Sequence, residues 1–187
     1  GQRYLLTQLG IAGQLAYTAT DVGSALNDII SNFHLHDEGG IVTLDKSSRY
    51  TSFSYTIIAP VLDSLEHAYD LSLTVICGTM RSLCGMDWNP VKVEFSRPQP
   101  KDPQPYKDYF RAPVLFNAPN NTVKFFGKCL HNSLATSDIN YHTLLAKDAQ
   151  ALNNAMPQSL SWKVRASLRP RLAMGDNTAS SVAERLG

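Results

Sequence analysis

Apolar positions in this chain recur at two spacings, and the switches between them divide it into elements. Val22, Ala25, Leu26, Ile29, Ile30 and Phe33 step by three and four, which predicts an amphipathic helix over 21–34. Thr20 offers an N-cap oxygen for it and Asp21 suits its first turn. Upstream, Leu5, Leu6, Leu9, Ile11, Ala12, Leu15 and Ala16 predict a helix over 3–17, packed on more than one side and weakened by Gly10 and Gly13. Leu62, Leu65, Tyr69, Leu73, Ile76, Met80 and Leu83 predict a long central helix over 62–84, opened by Pro60 and ended by Gly85. Ile139, Leu144, Leu145, Ala149, Leu152 and Met156 predict a last helix over 138–156 with Ser137 as its cap.

Elsewhere the period is two. Phe53, Tyr55 and Ile57 alternate with Ser52, Ser54 and Thr56, so 50–58 is expected as a strand. After the break at Gly39-Gly40, residues 41–46 alternate more weakly, and a turn over Asp45 to Arg49 joins the two into a hairpin. Val91, Val93 and Phe95, then Val123 and Phe125, mark strands at 91–95 and 122–126. The expected fold is α+β, a small antiparallel sheet in β-β-α-β-β order covered by helices. A jelly roll would need about eight strands.

Several prolines separate the last two strands, so their connection is expected to be a set of ordered turns and not a ladder strand. Inside it Tyr106, Tyr109 and Phe110 fall at helical spacing and can pin the connection to a core. The ordered series Tyr106-x-x-Tyr109-Phe110, Pro113-Val114-x-Phe116 and Asn121-x-Val123-x-Phe125 resembles the N-terminal effector-binding domain of AraC-type bacterial transcription regulators, in their arabinose-binding-like, OruR/VqsM-like branch. Tyr109 stands where that branch has Phe, and Val123 where it has Leu. The resemblance also takes in Leu9-Gly10 and Thr20 to Leu26, and runs from about Gln8 to Gly187.

Met156-Pro157-Gln158-Ser159 is the expected boundary, because Pro157 stops a helix and Ser159 can cap a new one. It divides the chain into 1–156 and 157–187. Charge changes at the same place: 12 Lys and Arg against 14 Asp and Glu before it, 5 against 2 after it. The body is therefore unsuited to phosphates, whereas the tail suits them. After the turn at Gly175-Asp176-Asn177, Thr178 caps a short helix with Val182, Ala183 and Leu186 inward. Val182-Ala183-Glu-Arg185-Leu186-Gly187 is similar to the start of the AraC-type helix-turn-helix domain, where the Gly supplies the tight turn. Lys163, Arg165, Arg169 and Arg171 lie beside it as candidates for phosphate contact. With no initiating Met and an end inside a patterned segment, the sequence is expected to be a fragment at both ends.

Candidate chemistry in the body is sparse. Cys77, Cys84 and Cys129 are an odd count without a C-x-x-C pair, which points to a reducing compartment and not to a disulfide framework. Cys77 and Cys84, seven apart on the long helix, read as core packing, or in the case of Cys77 as a pocket wall. His34-x-His36 beside Asp37-Glu38 reads as a solvated loop; a metal-binding cupin would add a later Glu and His. Asp63, Glu66 and Asp70 share one helix side and read as a solvated face, since glycosidase chemistry needs carboxylates facing across a cleft. No G-x-S-x-G, P-loop or G-x-G-x-x-G occurs.

What remains is an aromatic face. Tyr50, Phe53, Tyr55, Tyr69 and Trp88 suit either core packing or a pocket for a small organic effector, with Phe53, Tyr55, Tyr69, Cys77 and Trp88 the chosen wall. The resemblance implies a ligand-responsive transcription regulator, cytoplasmic and homodimeric. Its DNA-binding domain, which reaches promoter DNA, would start with Lys163, Arg165, Thr178, Val182, Ala183, Arg185, Leu186 and Gly187. No enzyme activity, cofactor, metal or membrane span is expected; no apolar run approaches the ~18 residues of a membrane helix. The competing class is an enzyme or ligand carrier of the same α+β shape, with 157–187 an ordinary terminal helix pair.

Overall fold

A computed structural model describes residues 6, 8–46, 49–57 and 66–156. The elements are α1 (Gly10–Thr18), α2 (Val22–Asn32), a 3-10 turn (Phe33–Leu35), β1 (Gly40–Asp45), β2 (Thr51–Ile57), α3 (Glu66–Cys84), β3 (Lys92–Glu94), α4 (Gln104–Phe110), β4 (Val114–Leu115), β5 (Thr122–Phe125), a second 3-10 turn (Gly127–His131) and α5 (Ile139–Ala155). The fold is α+β, with a mostly antiparallel sheet in the order β1-β2-β5-β3-β4.

The hairpin register pairs Val42 with Tyr55 and Leu44 with Phe53. Strand β2 then pairs antiparallel with β5, Phe53 opposite Val123, and β5 with β3, Val123 opposite Val93. Phe53, Val123 and Val93 thus share one face across three strands, and all three are buried. Helix α3 lies on β2 and β5, and brings Leu73, Ile76, Cys77 and Met80 to the same core. Complete burial of one such side chain contributes ~1.5–3 kcal/mol. Gly85, with φ +98, ends α3 as expected, its N–H donating to the Arg81 carbonyl at 3.0 Å.

Several local expectations change. The cap of α2 is Asp21, not Thr20: its carboxylate accepts from the Ser24 N–H at 2.8 Å, while Thr20 Oγ1 donates to Asp21 at 3.0 Å. In the same way Asp138, not Ser137, caps α5, accepting from the Tyr141 N–H at 3.0 Å. In both, a carboxylate one residue further along meets the free N–H groups of the first turn. Of the predicted span 3–17, Leu6 and then Gly10–Thr18 are seen as helix, with Gly10 at φ +60. Gly40 does not break the chain but opens β1, where an added Cβ would stand 2.5 Å from the Tyr55 ring.

The proline-rich connection is also more regular than expected. It holds α4, with Pro103 at its N-cap and Pro105 in its first turn, where a missing N–H costs nothing. Beyond Pro113, Val114 and Leu115 form a parallel ladder with β3. The prohibition that proline places on ladders ends with the proline itself. Phe95 is the hub of this region: Phe110, Tyr106 and Phe116 surround it at 5.5–5.8 Å between centroids, Phe116 stacked and the other two edge-on.

Two buried arginines fasten the connection to α3. Arg81 donates to the carbonyls of Tyr109 (2.8 Å) and Phe110 (3.3 Å), at the end of α4 where carbonyls lack helical partners. Arg97 meets Glu66 at 3.1 Å, Asp70 at 3.3 Å and the Tyr106 hydroxyl at 2.6 Å. The expected solvated carboxylate face is therefore corrected: Glu66 and Asp70 are the counter-ions of Arg97, and Asp63 lies outside the described residues. Helix α5 packs on α1 through Leu145 and Ala149 against Leu15. Residues 157–187, with the expected boundary and helix-turn-helix start, lie outside the described residues as well.

Candidate functional site

A cavity of about 220 Å³ lies between α3 and the sheet. The sheet supplies Val42, Phe53 and Tyr55; Leu9, Ile29 and Phe33 close one end; α3 supplies Ala68, Leu71, Ser72, Val75, Ile76 and Thr79. The α3 set follows from helical spacing, because 68, 72, 75–76 and 79 turn the same face to the sheet. Leu71 is 65% exposed and stands at the mouth.

The walls are apolar except for the Ser72 and Thr79 hydroxyls of α3 and one corner. There the Tyr55 hydroxyl donates to Asp37 Oδ2 at 2.7 Å, and the Gly39 N–H donates to Asp37 Oδ1 at 2.8 Å. The turn that positions Asp37 is closed by its own N–H and that of His36, both donating to the Phe33 carbonyl at 2.9 Å. Phe33 packs edge-on against both Tyr55 (6.0 Å) and His36 (5.9 Å), so the corner is stiff. Burial, followed by the neighbouring Asp37 carboxylate, holds the Tyr55 hydroxyl far above the ordinary tyrosine range. It is a fixed neutral donor. Ser72 turns its hydroxyl to the Ala68 carbonyl at 2.6 Å, inside its own helix.

Of the wall expected from sequence, Phe53 and Tyr55 line this cavity. Tyr69 is half-buried on α3 outside the lining. Cys77 is wholly buried in the main core, where burial pushes its thiol up to about 11. Trp88 packs edge-on against Phe125 at 5.9 Å on another side of α3. There the neighbouring Cys84, and after it Trp88, lower the Cys129 thiol to about 7, while Cys129 and burial raise that of Cys84. Tyr50 pairs with Phe126 at 5.4 Å. The aromatic face thus divides among four places. The sequence reading missed His36, Asp37 and the Ala68-to-Thr79 face. The second had a signal, a run of small and apolar residues at helical spacing; the corner had none.

The histidine pair does not act together. His34 hydrogen-bonds Asn153 of α5, while His36 faces Phe33 and the cavity. Among the described residues, no group of three or more His, Cys, Asp or Glu could hold a metal ion. A second hollow of about 350 Å³ between α2 and α5 is polar, lined by Thr18, Thr20, Ser24, Asn27, Asp28 and His142. Asp28 and His142 already meet there at 3.0 Å. Small-molecule sites are mostly apolar with a few placed polar groups, which describes the first cavity.

An α+β fold enclosing an apolar cavity beneath one long helix defines a domain with room for a small molecule. Residues 1–134 match the family described as the arabinose-binding domain of AraC transcription regulators, N-terminal. The chain belongs to that family. Among solved structures it is similar to the crystal structure of the transcriptional regulator CdpR from Pseudomonas aeruginosa, with a TM-score of 0.61 and 18% identity over 97% of this chain and 68% of that one. At that identity the likeness speaks for the fold. No curated protein sequence matches. No helix among the described residues is long and apolar enough to cross a membrane.

Proposed function

We propose that this chain is the sensing region of a ligand-responsive, AraC-type transcription regulator, and that the cavity between α3 and the hairpin holds its effector. The observation that carries the reading is a mainly apolar cavity with one polar corner, built wholly from residues inside the family match. Residues 157–187 begin the DNA-binding domain, and the effector acts by binding one arrangement of the two regions more tightly than the other. The chain performs no catalysis in this reading.

A homodimer belongs to the same reading. On α5, Tyr141, Leu144 and Leu152 are each half or more exposed and lie on one face. A second copy laid antiparallel on that face buries the three apolar side chains of each subunit.

The test is a thermal-shift screen of small metabolites against the chain and against Ala68→Trp, which fills the cavity. A ligand that binds the folded state raises its melting temperature. Hits that raise the melting temperature of the parent but not of A68W support the reading; hits that raise both equally overturn it.

A further inference from the structure

The chemistry of the cavity narrows what can occupy it, an inference that rests on the effector-site reading. An apolar cavity of ~150 Å³ accommodates benzene, so one of about 220 Å³ suits a fused pair of rings. Ile29, Phe33, Val42, Phe53, Val75 and Ile76 give this space walls without hydrogen-bonding side chains. A sugar would bring several hydroxyls into it, each losing water without a partner. Ser72 spends its one O–H on the Ala68 carbonyl and keeps only acceptor capacity, and Thr79 adds a single hydroxyl, too few partners for a sugar.

The corner decides charge and direction. Among the described lining residues there is no Lys or Arg, and the one full charge is the Asp37 carboxylate. Among the described lining residues only the His36 ring can offset that carboxylate for an anionic ligand. An ionised carboxylate accepts about four hydrogen bonds, and Asp37 receives two, from Tyr55 and Gly39. What it offers is acceptor capacity. Tyr55 cannot turn its own donor to a ligand without abandoning Asp37, so this pair takes hydrogen bonds and does not give them; the other polar ring at the corner is His36.

We propose that the cavity takes a neutral or cationic bicyclic molecule of aromatic size carrying one N–H or O–H donor, with that donor on Asp37, and that it rejects sugars and carboxylates. Indole and benzothiophene test this directly, because they share a shape and differ in the N–H. Titration calorimetry on the full chain is expected to show indole binding about tenfold more tightly than benzothiophene, the value of one hydrogen bond to a charged group. Asp37→Ala is expected to bring the two within about twofold of each other. L-Arabinose and 2-naphthoate are expected not to bind.

Binding of L-arabinose or 2-naphthoate that A68W abolishes would overturn the ligand class and leave the cavity as the effector site. Indole binding unchanged in A68W would overturn the cavity itself. Equal binding of indole and benzothiophene, or of neither, overturns the donor on Asp37. Should A68W not fold, as judged by its circular dichroism, Val75→Phe serves as the filling variant.

Discussion

Gly40 lies so close to the Tyr55 ring that an added Cβ would stand 2.5 Å from both Cε2 and Oη. The two residues are on neighbouring strands, and the approach sets the ring on its course to Asp37. Gly40→Ala is expected to displace the ring, break the Tyr55–Asp37 bond and cost ~1–3 kcal/mol, the usual cost of an overfilled core. Chemical denaturation checks this. In a Tyr55→Ala background the same change should cost much less, and a double-mutant cycle measures the difference.

Arg97 and its partners give a second expectation. The Arg97 side chain is buried, whereas Glu66 is about half exposed. Removing the cation leaves Asp70 without its positive partner, so Arg97→Met is expected to destabilise by ~3 kcal/mol. Glu66→Gln removes only the exposed arm, in water's high dielectric, and should cost under ~1 kcal/mol. Urea midpoints of the two variants, compared at equal slope, decide it.

Acid stability should depend on Glu94. Burial by itself would raise this carboxyl, but Lys92 at 2.6 Å and Lys124 at 3.0 Å outweigh burial and hold it below 4.5. A depressed folded value means that the contribution is complete above the unfolded value and is lost as pH falls through the folded one. Stability of the parent should therefore decline below about pH 4.5 more steeply than that of Glu94→Gln. Denaturation midpoints at a series of acidic pH values measure the two slopes.

The outer face of α5 predicts oligomeric state. Leu144→Glu with Leu152→Glu should shift the chain from dimer to monomer in light scattering, with its far-ultraviolet circular dichroism unchanged. The two leucines are more than half and about half exposed, so the folded monomer loses little by the change. A dimer that persists in the double variant would place the interface elsewhere.

Much of the fold was readable because burial imposes a period. Phe53-x-Tyr55 and Val93-x-Phe95 alternate since one face of each strand meets α3, and the hairpin, the long helix and Gly85 follow from the same logic. Caps were misplaced by one residue, because Thr20 and Asp21 are both good caps in sequence and only the hydrogen-bond geometry selects the carboxylate. The parallel pairing of β4 beside β3 had no signal either, since two residues after a proline carry no period.

By itself the sequence determined the class of fold, the family and the aromatic strand β2, because each depends on local spacing or on an ordered series of residues. The tertiary structure decided which of five aromatic and sulfur side chains share a wall. A sheet face says only that a residue is inward; what it meets depends on how α3 crosses the strands. That crossing sends Cys77 into the closed core and Trp88 to Phe125, and leaves Tyr55 facing Asp37, a loop residue brought there through the Phe33 turn. Contacts between distant segments are set by the packing of whole elements, and no spacing along the chain encodes them.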